Sequence, residues 1–121
     1  MTSRSRRTGA PLSQQEFFIL CVLADSHKHG YAVGKQVEEL TEGTIVFSAA
    51  TLYQNLNQLE RAGLVSLDED LFSLEGGAVV APGKARKTYT ITPSGAAALE
   101  AQLRLYQRAA NLVRRRHSCT T

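Results

Sequence analysis

Apolar residues along this chain fall into three helical stretches, one alternating stretch and a long seam-like repeat. The first stretch follows Ser13, which with Glu16 three positions on has the form of a capping box, while Leu12 and Phe17 occupy the places of a hydrophobic staple. Phe17, Leu20, Cys21, Leu23 and Ala24 then recur at helical spacing, and Phe18, Ile19 and Val22 carry the apolar surface most of the way round. A helix apolar on nearly every side is expected to be covered on nearly every side, by its own domain and by a second partner. A polar break, Asp25-Ser26-His27-Lys28-His29-Gly30, precedes a second helix expected over residues 31–40, with Tyr31, Val33, Val37 and Leu40 as its apolar positions. Residues 41–44 stop that helix, and Ile45-Val46-Phe47 is expected to cross as a short extended segment.

Ser48 is the next N-cap, and the helix it opens, over residues 49–62, turns Leu52, Leu56 and Leu59 inward before Gly63 ends it at the C′ position. Residues 64–67 read as a strand. So do residues 88–92, which alternate and are rich in β-branched and aromatic side chains. The connection between them carries turn signals at Glu75-Gly76-Gly77 and Ala81-Pro82-Gly83-Lys84, so the two strands form a hairpin whose arms residues 71–74 and 78–80 extend. Thr92 as N-cap and Pro93 at the first helical position begin a last helix, expected to reach Arg116. Leu99, Leu103, Tyr106, Ala110 and Val113 recur along it at spacings of four, three, four and three, a heptad seam that Leu105, Ala109 and Leu112 widen. The fold class is therefore mainly α with a small β-hairpin. A domain of this size does not easily cover both the seam and the first helix.

With 121 residues, 43% hydrophobic and 21% charged, the chain supports one compact domain and leaves no room for most two-domain enzymes. The net charge of +3 permits a polyanionic partner without demanding one. Residues 1–11, with Arg4, Arg6 and Arg7, read as a flexible basic arm, either a solvated tail or an arm laid on nucleic-acid backbone. The longest apolar run, Phe17 to Ala24, is far too short to span a membrane, no secretory signal is visible, and two cysteines make no disulfide framework. A reduced, cytoplasmic protein with no membrane partner is the expectation.

The outward side of the third helix carries Ala50, Gln54, Asn57 and Arg61, flanked by Thr51, Tyr53 and Gln58. A merely solvated helix more often uses Lys and Glu; amides can pair with an adenine edge, and Thr, Tyr and Arg with backbone or base. An ordinary polar surface is the alternative. Lys84, Arg86 and Lys87, at the end of the hairpin connection, lie where a wing beside a helix-turn-helix reaches along phosphates. Other chemistry has little support. His27 and His29, and His117 and Cys119, lack further ligands nearby, Gly76-Gly77 lacks the context of a phosphate loop, and no Ser-His-acid order is recognisable. No catalytic residue, metal or cofactor is expected.

Phe17-Phe18-Ile19-Leu20, His29-Gly30-Tyr31, Thr51-Leu52-Tyr53 with Leu56, Leu59, Glu60, Gly63 and Leu64, then Lys87, Tyr89, Thr92 and Gly95 together resemble the PadR-like family of bacterial transcriptional regulators over roughly residues 12–100. The resemblance implies a winged helix-turn-helix over residues 12–92, a C-terminal dimerisation helix over 93–116 and a tail over 117–121. It also implies a homodimer, usually a repressor, bound to a double-stranded DNA operator through the third helix and the wing. The C-terminal helices then join the subunits, packing partly on the partner's first helix. The dimerisation set is Phe17, Phe18, Leu99, Leu103, Tyr106, Ala110 and Val113. The match at His29-Gly30-Tyr31 has a structural account: Gly30 allows a tight start to the second helix, and the Tyr31 ring packs on the core. Tyr53 matches the family's tyrosine in the reading helix. Two departures stand out, an apolar-containing insertion over residues 71–81 and the absence of tryptophan. A small aromatic or hydrophobic effector held by Phe17, Phe18 and Tyr106 is one partner to consider; plain interface packing of those rings is the simpler reading. The competing function is a winged-helix protein-interaction module with weak or no DNA binding, which the acidic Asp68-Glu69-Asp70 favours slightly.

Overall fold

Helix α1 (Gln14–Asp25) begins at the capping box that the sequence predicts: the Ser13 hydroxyl accepts from Glu16 N at 3.1 Å and the Glu16 carboxylate accepts from Ser13 N at 3.0 Å. The chain is seen in a computed structural model that describes residues 11–70, 74–75, 78–79 and 86–120, so the basic arm, apart from Pro11, lies outside the described residues. Ile19 and Leu20 are fully buried, and Phe17, Val22 and Leu23 nearly so. Much of this coverage comes from the chain itself, because every other helix and the central strand pack around α1; of its apolar side chains Phe18 and Cys21 stay half-buried and Ala24 exposed.

The break after α1 holds a strand that the sequence does not announce. β1 (Lys28–His29) pairs antiparallel with β5 (Arg86–Ile91), Lys28 opposite Tyr89 and His29 opposite Thr88. Helix α2 (Gly30–Leu40) follows at once and buries Val33 and Val37 completely. Tyr31 is 73% exposed, however, and does not pack on the core. Two residues are about 200° of helical rotation, which puts Tyr31 on the face opposite Val33. Leu40, on the last turn, is likewise exposed. Residues 45–47 join no ladder; instead Ile45 is buried and its N–H donates to Thr41 Oγ1 at 3.0 Å.

Helix α3 (Ala49–Arg61) starts at Ser48, whose hydroxyl accepts from Thr51 N at 3.2 Å, and its Leu52, Leu56 and Leu59 enter the core as the stripe predicts. Gly63, with φ +81°, closes it: Gly63 N donates to Glu60 O and Leu64 N to Leu59 O, each at 3.0 Å, in a Schellman motif. β2 (Val65–Asp70) then pairs with the other edge of β5, giving an antiparallel sheet in the order β1-β5-β2. β3 (Leu74–Glu75) and β4 (Ala78–Val79) pair antiparallel as a separate two-stranded ladder; residues 71–73, 76–77 and 80–85, on which part of the expected hairpin arms falls, lie outside the described residues. Tyr89, central in β5 and 1% exposed, joins the sheet to the helical core.

Helix α4 (Pro93–Thr120) is capped by Thr92, whose hydroxyl accepts from Gly95 N at 3.0 Å and donates to Gly63 O at 2.7 Å. A Cβ on Gly95 would run into the Leu64 carbonyl oxygen, so this residue sets how closely α4 approaches the chain between the end of α3 and Val65. The helix continues beyond Arg116 through residues expected to form a tail; no Gly or Pro follows Gly95 to stop it. Leu99 and Gln102 are buried, and Gln102 ties α4 to the start of α1: its side chain accepts from Leu12 N at 3.3 Å and donates to Leu12 O at 3.4 Å and to the Tyr106 hydroxyl at 2.8 Å. Among the described residues no helix is long and apolar enough to cross a membrane.

Candidate nucleic-acid interface

With Leu52, Leu56 and Leu59 inside, the other side of α3 presents Ala50, Gln54, Asn57, Gln58 and Arg61 to solvent. Thr51 is half-buried, its Oγ1 receiving a hydrogen bond from Ser48 Oγ at 3.0 Å. A cleft of about 540 Å³ between the start of α1 and α3 has Gln54 and Gln58 on its rim and Gln15, Thr51 and Asn55 among its lining. This surface is a row of amide groups with one arginine at its end, suited to hydrogen-bonding base edges rather than to simple charge neutralisation.

Two residues hold that row in place, one of them missed in the sequence. Asn55 is buried, and its Nδ2 donates to Gln15 Oε1 at 3.1 Å and to Thr51 O at 2.9 Å, fixing α3 to α1. Its position between Leu52 and Leu59 on the apolar stripe was the available signal, since a buried amide must find partners. The other is Tyr53, 37% exposed, whose ring crosses from α3 onto the first residue of α2. A Cβ built on Gly30 would lie 2.6 Å from the Tyr53 hydroxyl oxygen and 2.7 Å from Cε1. Gly30 is thus a seat for a ring, not only the start of a helix.

The sheet places the basic residues less simply than their sequence suggests. Lys87 is exposed on β5; Arg86 is on the same strand, and Lys84 lies outside the described residues. The β2–β5 register sets Glu69 opposite Lys87 and Asp70 opposite Arg86. Acidic residues of β2 are therefore the register partners of basic residues of β5 at the base of the wing. At the other edge His29 Nδ1 lies 3.2 Å from Thr88 Oγ1, a contact that joins β1 to β5 and gives the histidine a structural task. Lys28 is 8% exposed; its Nζ donates to Ser26 Oγ at 2.8 Å and lies 3.7 Å from Asp25. Among the described residues no group of three His, Cys, Asp or Glu side chains could hold a metal ion.

The residues assigned to dimerisation divide in two. Phe17 is 6% exposed within its own chain, stacked edge-on against Phe18 at 5.2 Å and Tyr106 at 4.8 Å, and Leu99 is also buried, so neither has much surface left for a partner. Leu103, Tyr106 and Val113 are 36%, 43% and 53% exposed, and Leu105 and Leu112 beside them about half. Phe18 and Ala110 are half-buried.

The transcriptional regulator PadR-like family model matches residues 19–101. Among curated proteins no match to the chain is found. Solved structures share the fold. A PadR family transcription regulator from Clostridium difficile superposes with a TM-score of 0.68 at 21% identity, covering 85% of this chain and 97% of that one. A transcriptional regulator from Clostridium thermocellum gives 0.65 at 21% identity, covering 83% and 89%. Bacillus subtilis PadR in complex with operator DNA gives 0.61 at 22% identity, covering 77% of this chain and 48% of that one. With the ordered motifs, the winged helix-turn-helix and a family match over most of its length, the chain belongs to the PadR-like family of transcriptional regulators.

Proposed function

We propose that this chain is a homodimeric, sequence-specific DNA-binding regulator that acts as a repressor, each subunit laying α3 in a major groove and the wing along the adjacent backbone. The observation that carries this reading is the outward face of α3, amide-rich and exposed along Gln54, Asn57 and Gln58 while its leucines anchor it from behind. Tyr53, Lys87 and, on the same wing, Arg86 and Lys84 are assigned to backbone contact. Dimerisation is assigned to the exposed apolar half of α4, since such a stripe on a helix clear of its own core is what a second copy would cover. A small aromatic or hydrophobic effector, if the protein takes one, would meet the exposed part of Tyr106; the three-ring cluster otherwise reads as packing.

A protein-interaction module is the second reading, favoured by the Glu69–Lys87 and Asp70–Arg86 register and by a reading face with a single charge, Arg61. Selection of genomic fragments by purified protein, then binding over a salt series, separates the two. Sequence-selective binding whose logarithm falls steeply with the logarithm of salt concentration supports the regulator. Weak binding that is equal on all sequences favours the module.

A further inference from the structure

Gly30 opens α2 in a place where alanine would serve the helix better, because glycine is the poorer helix former and this residue needs no left-handed backbone. What excludes a side chain there is Tyr53. The three atoms nearest a Cβ on Gly30 are its hydroxyl oxygen at 2.6 Å, Cε1 at 2.7 Å and Cζ at 2.9 Å, and no real Cβ tolerates such distances. Gly30 is buried and Tyr53 is partly exposed, so the obstruction falls on the end of a side chain that has open solvent to swing into. A methyl group at residue 30 would therefore displace the ring and leave the fold standing.

We infer that Gly30 is a positioning residue for DNA recognition: its missing side chain seats the Tyr53 ring across the junction of α2 and α3 and fixes where the tyrosine hydroxyl is presented. This rests on the DNA-binding reading above and adds a residue that touches no DNA itself. The seat also couples the two helices of the helix-turn-helix, since the ring belongs to α3 and its floor to the first turn of α2.

The test is a double-mutant cycle of Gly30→Ala and Tyr53→Ala in the full chain, read on a duplex that the wild-type protein selects from fragmented genomic DNA. Gly30→Ala is expected to weaken binding about tenfold when Tyr53 is present and less than about twofold in the Tyr53→Ala background, the non-additivity of residues in contact. Equal losses in both backgrounds, or none in either, overturn the inference. Tyrosine-labelled protein reads the seat without DNA: in Gly30→Ala the Tyr53 ring signals are expected to shift while those of the buried Tyr89 stay in place, and an unmoved Tyr53 also overturns it. Should Gly30→Ala fail to fold, the Tyr53→Ala background must restore folding, and continued failure there counts against the seat. If the wild type selects no duplex, the DNA-binding reading is what fails, and the ring signals alone decide the seat.

Discussion

Replacing Leu112 and Val113 together by aspartate tests the assembly at a place where the chain's own fold is not at stake. Both residues lie on the outer part of α4, 51% and 53% exposed, well beyond the buried Leu99 and Gln102. Full burial of such a side chain is worth about 1.5–3 kcal/mol, so covering the exposed half of each contributes ~1 kcal/mol. A symmetric dimer covers both residues twice, which makes their joint contribution ~4 kcal/mol and predicts a dissociation constant raised at least about 1,000-fold when they are lost. Four carboxylates placed on the seam add desolvation and repulsion in the same direction. Sedimentation over a concentration series reads the change, with far-UV circular dichroism confirming that helical content is kept. A wild-type protein that stays monomeric at the highest attainable concentration, or a double variant that dimerises as tightly as wild type, would refute the assignment of the seam.

Other outcomes follow from single side chains. Gln54→Ala and Asn57→Ala, both at exposed positions, are expected to leave thermal unfolding unchanged and to cost about 1–3 kcal/mol on the selected duplex with little effect on a scrambled one. Lys87→Ala is expected to weaken both duplexes alike and to lower the salt slope by about one; a sequence-dependent loss would make Lys87 a reader instead. Leu56→Ala, at a fully buried position, is expected to lower the unfolding free energy by about 2–5 kcal/mol in denaturant titration. Burial raises the Cys21 thiol above its ordinary value, so less thiolate forms at a given pH. In a Cys119→Ser background its alkylation near pH 8 is expected to be slower in the folded protein than after denaturation, and equal rates would contradict that.

What was legible in the sequence was mostly local. The Ser13–Glu16 box, the Ser48 and Thr92 caps, the Gly63 terminator and the Leu52-Leu56-Leu59 stripe each depend on residues within one or two turns, and each stands in the structure. β1 was not legible because two residues carry no period, and its partner strand lies some sixty positions further on. Tyr31 was misplaced for a related reason: its apolar character suggested burial, but its angle from Val33 decides the outcome. Periodicity also showed that α1 had to be covered without showing by what; within the chain the other helices and β5 cover most of it. For the candidate site, the α3 face was readable residue by residue. The Gly30–Tyr53 contact and the Glu69–Lys87 pairing exist only once two distant segments meet, so no local pattern contains them.

The length of α4 has a mechanical consequence. Its 28 residues make a rod about 42 Å long. Gln102, Leu99 and the close approach at Gly95 clamp one end to the domain, while the side chains of residues 103–116 are exposed apart from the half-buried Ala110, with Tyr106 still resting on Phe17. Such a rod is a lever with its fulcrum inside the domain that carries α3. The arm beyond the clamp, residues 103–120, is about 27 Å long, so a tilt of about 5° moves its far end by about 2 Å, against a 10.5 base-pair repeat of about 34 Å between successive major-groove faces. In the proposed dimer, joined along the free arms, the spacing of the two α3 helices would therefore be geared to small changes in packing around Gln102.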